Sequence, residues 1–523
     1  MKLLIWVPLN VKGGGHRLFV NLVNALSKHR EICSIKIVLS PEWKENKYLG
    51  TLTSCKGVTV CYYPDENLFT DGGKIQVLEN KIKGLKNEIN EIERRILEKQ
   101  EIIANIEHEI KNLNFPAIYT NKSHKKFTDR IIDFFIKIIF SKKIIEDYIQ
   151  IVKLKRSKIE KEYTDILKLN DEFKLKADEI KKLENEKEMS LRDLKEKEIR
   201  FKHCAVDYYA KDCDVVFFFW PHFIDFQKTN KPSVCTFQDV VILDFPENIG
   251  GTNAKVFFEN SKRWLTGTTV TVTSSHYIRS RLLEFFNMDP DLIHVIPHRG
   301  FVMEGFQKSD SSKVKEKFNL PEEYIVYPAN LGFHKNHYNL FIAFSRFKYR
   351  EKYPLVLFGN FTEYIRQTPP DYPDLLNCAR LTALINRLGL KHGRDFFSLG
   401  FIEDEYVQPI IENAKFLIMP SLAEGGGSYP VEEALRIGVP VACSDIPVMK
   451  EHLENRTAKI AWFDPESTDS ITNAMNNLIE NYDEYKQSVI KGLSDPVQSW
   501  EDIAESYVKI FKIAIEKFYK DQN

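Results

Sequence analysis

The residues best suited to chemistry lie in one stretch, FLIMPSLAEGGGSYPVEEALRIGVPVACSD, at 416–445. A buried-strand pattern ends in Pro420-Ser421. Glu424 and three glycines, Gly425, Gly426 and Gly427, follow, and Pro430 then leads a helical pattern carrying Glu432, Glu433 and Ala434. Glycines ahead of a helix start leave backbone N–H groups free where the helix dipole is positive, an arrangement that binds phosphate. Carboxylates beside it repel phosphate but accept hydrogen bonds from sugar hydroxyls. The combination points to a ligand that carries phosphate and sugar together. The competing reading is a helix N-terminus with acidic first-turn residues, which any α/β protein can carry.

The elements that would hold this stretch follow an α/β rhythm. KLLIWVPL (2–9) reads as a buried strand. Gly13-Gly14-Gly15 and a helical pattern, RLFVNLVNALSK, come next, then strand patterns at 34–39 and 58–63. The three glycines either let the first loop approach a ligand closely or form a simple turn. Strand, glycine turn, helix and strand in succession indicate a doubly wound parallel sheet. The rhythm resumes with strand patterns at 214–220, 233–238, 269–275 and 294–297. A second series lies at 324–330, 355–360, 397–401, 416–421 and 439–445. The segment 300–322 reads as the linker between two domains. Residues 1–74 and 203–305 form the first and 306–497 the second. A last helix within 498–523 has no strand after it and is expected to return to the first domain. Gly359, Phe401 and Ile402 sit at C-terminal strand ends, where ligands of such sheets bind through backbone groups.

Residues 75–202 have another character. Apolar residues at 75, 78, 82, 85, 89, 92, 96, 103, 106, 110 and 113 step by three and four, and only Lys99 breaks the series. This is a heptad seam. A helix over 75–113 would be ~58 Å long at ~1.5 Å per residue. A second charged helical stretch, about 144–202, has a rougher seam of Ile159, Tyr163, Ile166, Phe173, Ala177, Ile180, Leu191 and Leu194. Two long helices with a short connection predict an antiparallel coiled-coil hairpin inserted in the first domain. Its tip, 122–143, carries seven Lys or Arg against two Asp among many Phe and Ile. That composition suits an interfacial helix on anionic membrane, a self-association surface, or packing within the hairpin end.

Composition narrows the class. The chain has 523 residues, with 74 basic and 74 acidic side chains. Charge neutrality argues against a general nucleic-acid binder. The eight cysteines are scattered with no CxxC pair, which reads as reduced thiols in a cytoplasmic protein. No apolar run reaches the ~18 residues of a spanning helix, and the N-terminus lacks a secretion-signal pattern. No metal-binding spacing stands out: Asp212 and Asp214, and Asp289 and Asp291, read as caps of neighbouring elements.

PSLAEGGGSYPVEEALRIGVPVACSD resembles the nucleotide-sugar signature of the family 4 retaining glycosyltransferases: a strand, Pro-Ser, a first Glu, glycines, a Pro, and a second Glu followed by Ala. YPANLGFHKNHYNLFIAF (327–344), LGFIEDEYVQPIIENAKFLIMPS (399–421) and CTFQDVVILDFPENIG (235–250) resemble other segments of that family in order and spacing. The resemblance covers nearly all of 1–74 and 203–519, is strongest in the C-terminal half, and omits the helical insertion. It implies the GT-B fold, two Rossmann-like domains facing a cleft.

It also implies roles. Glu424 contacts the donor sugar. Glu433 accepts from the ribose hydroxyls, with Glu432 as the alternative, since Glu432 keeps the family's usual spacing and Glu433 the Pro-to-Glu-Ala context. Lys335 matches the diphosphate-binding lysine, and a cation is needed there because the departing nucleoside diphosphate gathers negative charge. Asn330 stands where an arginine is common, so His334, His337 or Arg299 are the candidates to supplement Lys335. Asp239 would orient or deprotonate the acceptor hydroxyl, or cap a turn, and Gln238 stands where a histidine is common. The implied activity is transfer of a sugar, mannose from GDP-mannose as first choice and a UDP-sugar as second, with retention of configuration and without metal or other cofactor. The acceptor would be a glycan or lipid-linked glycan, and the enzyme cytoplasmic, peripheral on the inner face of the membrane if the hairpin tip docks there. Rival readings are a GT-B epimerase or phosphorylase, and a catalytically weak GT-B body serving as scaffold for the coiled coil.

Overall fold

A computed structural model describes residues 1–7, 14–63, 72–113, 142–221, 224–246, 251–297, 310–365 and 375–521. The chain divides into two compact units, Met1–Asp65 with Lys202–Asn523, and Glu66–Phe201.

The larger unit holds two parallel sheets. The first contains β1 (Lys2–Val7), β2 (Ser34–Leu39), β3 (Val58–Tyr62), β4 (Val215–Phe218), β5 (Ser233–Phe237), β6 (Val270–Thr273) and β7 (Ile293–Val295). Their order is β3-β2-β1-β4-β5-β6-β7. The second contains β8 (Ile325–Pro328), β9 (Leu355–Phe358), β10 (Phe396–Ser398), β11 (Phe416–Met419), β12 (Val441–Ser444) and β13 (Ala461–Phe463), in the order β10-β9-β8-β11-β12-β13. Every neighbouring pair is parallel. The central strands are buried along their whole length, as VVFF, IVYP, LVLF and FLIM require: an apolar run without alternation needs cover on both faces. In each sheet the first strand of the series lies in the middle and the order reverses beside it. That reversal opens a crevice at the C-terminal strand ends.

The last helix, Trp500–Lys520, starts with a capping box between Ser499 and Asp502. Ile503, Ala504, Tyr507, Val508, Phe511 and Ala514 of this helix are buried in the core of the N-terminal sheet. Phe511 stacks edge-on against Phe217 of β4 with ring centroids 5.3 Å apart. The C-terminal core is separate and runs from Val314 to Val489. Val314 lies on the helix Ser311–Lys317, so the later part of the expected linker is already a packed element of that domain. β13, Ala-Trp-Phe, has no counterpart in the sequence reading, because three residues carry no periodicity.

The smaller unit is an antiparallel pair formed by the helix Gly72–Lys111 and the helix Lys142–Tyr209 as far as Phe201. Leu78, Ile82, Ile92, Ile103 and Ile106 of the first are buried, as are Val152, Ile166, Leu169 and Ile180 of the second. Lys99 breaks the heptad pattern without breaking the seam: its ammonium bonds Glu162 at 2.7 Å and Asp165 at 3.1 Å. Those two carboxylates take the inward positions at that level, and Tyr163, expected in the seam, is turned out and 52 % exposed. Further pairs, Lys187 with Glu79 and Lys176 with Glu88, fix the antiparallel register. The basic segment 122–143 lies outside the described residues apart from the backbone of the helix start at Lys142. No helix among the described residues is long and apolar enough to cross a membrane.

Replacing Phe511 with alanine is expected to lower the unfolding free energy by about 3–5 kcal/mol, the usual result of emptying a buried Phe site. A urea titration reads this, and an unchanged midpoint would show that the last helix does not belong to the N-terminal core.

Candidate active site

The C-terminal end of β8 leads into a 3-10 turn, Phe333–Lys335. Asn336 follows in the left-handed region, φ 59°. Its buried amide donates to the carbonyls of Pro420 (2.9 Å) and Pro465 (2.7 Å), and the Leu422 N–H donates to the His334 carbonyl at 2.8 Å. These bonds tie the turn to the Pro-Ser loop after β11. The tie sets Lys335 against Glu424: Nζ lies 2.7 Å from Oε1, in a largely buried pair. The sequence separates these two residues widely, and the fold makes them direct partners.

The glycines at 425–427 sit in tight quarters. A Cβ at Gly425 would lie 2.6 Å from the Gln238 carbonyl and 2.8 Å from Asp239 Cβ; one at Gly426 would lie 2.2 Å from Ser274 Oγ. Gly427, at φ +121°, would place a Cβ 2.2 Å from His452. The turn is thus wedged against two loops of the N-terminal domain. Glycine is required there for close packing as well as for exposing amides. The helix behind it, Tyr429–Arg436, has no side-chain cap from Ser428, so its first-turn N–H groups are not occupied by a capping hydroxyl.

Glu432 and Glu433 part company on this helix. Glu432 is fully buried, accepts from Arg456 Nε at 3.2 Å and from Arg456 Nη2, and has Arg436 and His452 each 3.7 Å away. It is a structural counter-ion of the C-terminal domain, closed to a ribose, which corrects its place among the nucleotide-sugar contacts. Glu433 instead faces Arg17 on the first helix of the N-terminal domain, Oε1 to Nη1 2.7 Å, and its Oε2 has no partner among the described residues. Burial pushes the Glu433 carboxyl above the usual range and Arg17 pulls it back. Burial likewise works against the Arg17 cation, but Glu433 and Asp404 outweigh it and its pKa is raised. Arg17 was not singled out from the sequence. The available signal was its position two residues after the glycine run, in the first turns of the helix Gly14–Lys28.

The domains meet at two more carboxylates. Asp404 accepts from the Tyr48 hydroxyl and pairs with Lys47 at 3.1 Å. Glu451 accepts from the His276 and Tyr277 N–H groups at 2.6 and 2.9 Å, at the start of the helix His276–Phe286. In all three contacts the C-terminal domain supplies the anion.

The other expected site residues are placed as follows. Gly15 lies in the first turn of the helix Gly14–Lys28, so the glycine run opens that helix; Gly13 and Arg299 lie outside the described residues. Asn330 is exposed and its Oδ1 accepts from the Gly332 N–H at 3.3 Å. Burial, and secondarily Lys335, drive His334 down to about 3; His337 falls to about 3 for the same leading reason. Both are neutral at ordinary pH, so neither is the second cation for which they were candidates. Asp239 is half-buried beside Gly425, and Gln238 accepts from Trp220 Nε1 at 3.2 Å. Gly359, at φ +140°, donates its N–H to the Gly400 carbonyl at 2.8 Å; Phe401 is exposed and Ile402 buried. Among the described residues no group of three or more His, Cys, Asp or Glu is arranged to hold a metal ion.

Two parallel Rossmann-like sheets, with Lys335, Glu424 and the glycine turn at their C-terminal ends, have the GT-B fold. Residues 308–492 match the family model described as glycosyl transferases group 1. The O-antigen chain mannosyltransferase B of Escherichia coli is 25 % identical over 302 residues, 57 % of this chain and 72 % of that protein. The serotype-specific mannosyltransferase WbdA of Escherichia coli is 25 % identical over 288 residues, 53 % of this chain; the match spans only 33 % of WbdA. Anabaena HepE in complex with UDP and glucose shares the fold, with a TM-score of 0.52 and 13 % identity over 98 % of this chain and 100 % of that one.

Adjacent glutamates give a sharp contrast. Glu432→Ala strands Arg456 and is expected to cost about 3–5 kcal/mol of stability. Glu433→Gln keeps an acceptor for Arg17, which also has Asp404 near it, and is expected to cost less stability than Glu432→Ala and to weaken nucleotide-sugar binding. Chemical denaturation with donor titration of both variants checks this; equal stability losses would show that Glu433 is a second structural counter-ion. The neutral histidines add a pH term. They sit at about 3 in the fold and near ~6.5 in an unfolded chain. The unfolded state therefore binds more protons between these values, and stability falls as pH drops below ~6.5.

Proposed function

We propose that this protein transfers mannose from GDP-mannose to a hydroxyl of a glycan or lipid-linked glycan, with retention of configuration. The observation that carries this is the Lys335–Glu424 pair, 2.7 Å apart beside the glycine turn and the Gln238–Asp239 loop. A cation, free amides and a carboxylate at one point are what a sugar diphosphate needs. The diphosphate takes Lys335 and the N–H groups of the turn and helix start; the sugar hydroxyls take Glu424. Cleavage of the bond from sugar to phosphate builds charge on the departing β-phosphate, and Lys335 stabilises that charge where little water competes. Glu433, held by Arg17 through Oε1, accepts from the ribose hydroxyls through its unpartnered Oε2. Asp239, whose Cα and Cβ pack against Gly425 from the other domain, orients or deprotonates the acceptor hydroxyl in this reading. The choice of mannose is supported by the names of the two Escherichia coli relatives, and retention by the signature at 416–445.

Thermal unfolding with a panel of GDP-, UDP-, dTDP- and ADP-sugars is the first test. GDP-mannose at ~100 times its dissociation constant is expected to add ~2.7 kcal/mol of stability. Lys335→Met is then expected to lower the rate of GDP release by about 10²–10³, the usual result of removing one transition-state donor. No shift with any nucleotide sugar would overturn the reading.

A further inference from the structure

The ends of β9 and β10 carry a group that the transfer chemistry does not use. Thr362 stitches the two ends together. Its hydroxyl donates to the Gly359 carbonyl at 3.0 Å and accepts from the Gly400 N–H at 3.1 Å, while its carbonyl accepts from Ser398 Oγ. Glu363 follows on this fixed turn. Its Oε2 is buried with no hydrogen-bond partner among the described residues. An acid oxygen held away from water and from any donor is unfavourable unless something else supplies the donor.

The surroundings say what kind of donor would fit. Glu363 lies across Gly400, where a Cβ would stand 3.0 Å from Oε2 and 3.4 Å from Cδ. A side chain at Gly400 would crowd the carboxylate. Gly400, at φ +77°, sets only backbone against the carboxylate, so a base reaches Oε2 when the Glu363 side chain turns outward from this packed position. Phe361 and Phe401 are 44 % and 55 % exposed on the same two strand ends. Phe361 is held at φ +72°, unusual for a bulky residue, with its ring stacked on Tyr364 at a centroid distance of 6.0 Å. Exposed flat rings beside an acceptor-only group suit a planar heterocycle with donors on its edge. The place is continuous with the diphosphate site, since the Leu331 N–H, at the start of the Lys335 loop, donates to the Asn360 carbonyl at 3.1 Å.

Among nucleobases only guanine presents two adjacent donors, N1–H and N2–H, on one edge. Uracil offers one N–H between two carbonyl oxygens, and adenine and cytosine each set a donor beside an acceptor. A carboxylate accepts from guanine at two points and faces an oxygen or nitrogen lone pair in the others. We infer that Glu363 is the residue that selects guanine in the donor, with Phe361 and Phe401 offering ring surface to the base. This rests on the nucleotide-sugar reading and adds the side chain that sets its base.

Calorimetric titration of the full chain with GDP, IDP, ADP and UDP tests it, because IDP lacks only the N2 amine of GDP. The native protein is expected to prefer GDP to IDP by roughly tenfold or more, the loss of one charge-assisted hydrogen bond, and to bind ADP and UDP more weakly still. In Glu363→Gln the GDP-to-IDP preference should collapse towards one, with folding intact by circular dichroism. Tighter binding of UDP or ADP than of GDP would overturn the guanine assignment while leaving a nucleotide-sugar transferase standing. An unchanged GDP-to-IDP ratio in the variant would remove Glu363 as the reader. Failure of all four nucleotides to bind would instead bring down the nucleotide-sugar reading itself.

Discussion

A charge taken out of water needs a counter-charge, and the cleft of this protein is organised by that requirement. Lys335 and Glu424 are both largely buried and 2.7 Å apart. Each neutralises the other, and in the proposed reaction the donor's diphosphate and sugar hydroxyls offer each a replacement partner. The pair can separate without leaving either charge bare only when a ligand supplies both chemistries at once. The Asn336 bonds to Pro420 and Pro465 and the close packing of Gly425 against Gln238–Asp239 hold the pair in place.

The same rule governs the closure of the two domains. Arg17, Lys47 and the start of the helix at His276 present positive charge or free N–H groups, and Glu433, Asp404 and Glu451 answer from the other side. Glu433 holds Arg17 through one oxygen, while its other oxygen is buried and has no partner among the described residues. In the proposed reading Glu433 serves both donor binding and domain contact, so a change at Arg17 would act on the donor site without touching the donor.

Much of this was legible in the sequence where a pattern repeats or a run is long. The heptad positions fall in the seam, and the unalternating runs became central strands. The signature at 416–445 brought Glu424 and its glycines to a strand end. What was not legible depends on which way a side chain turns or what stands opposite it. Neighbouring glutamates on one helix differ by about 100°, and only the presence of Arg456 on one side and Arg17 on the other shows which is structural. His334 and His337 look like cations in a basic HKNH stretch; burial makes them neutral. Tyr163 is turned out at the level where Lys99, across the hairpin, bonds Glu162 and Asp165. Glu363 carries no motif, and its meaning rests on the lack of a partner in the fold.

The central claim is that the Lys335–Glu424 pair opens to admit a sugar diphosphate. A crystal structure with an unhydrolysed nucleotide-sugar donor tests it most directly. The account predicts Lys335 Nζ turned from Glu424 to the β-phosphate, with a sugar hydroxyl bonded to the freed carboxylate. A donor bound elsewhere, with the 2.7 Å pair still intact, would contradict it.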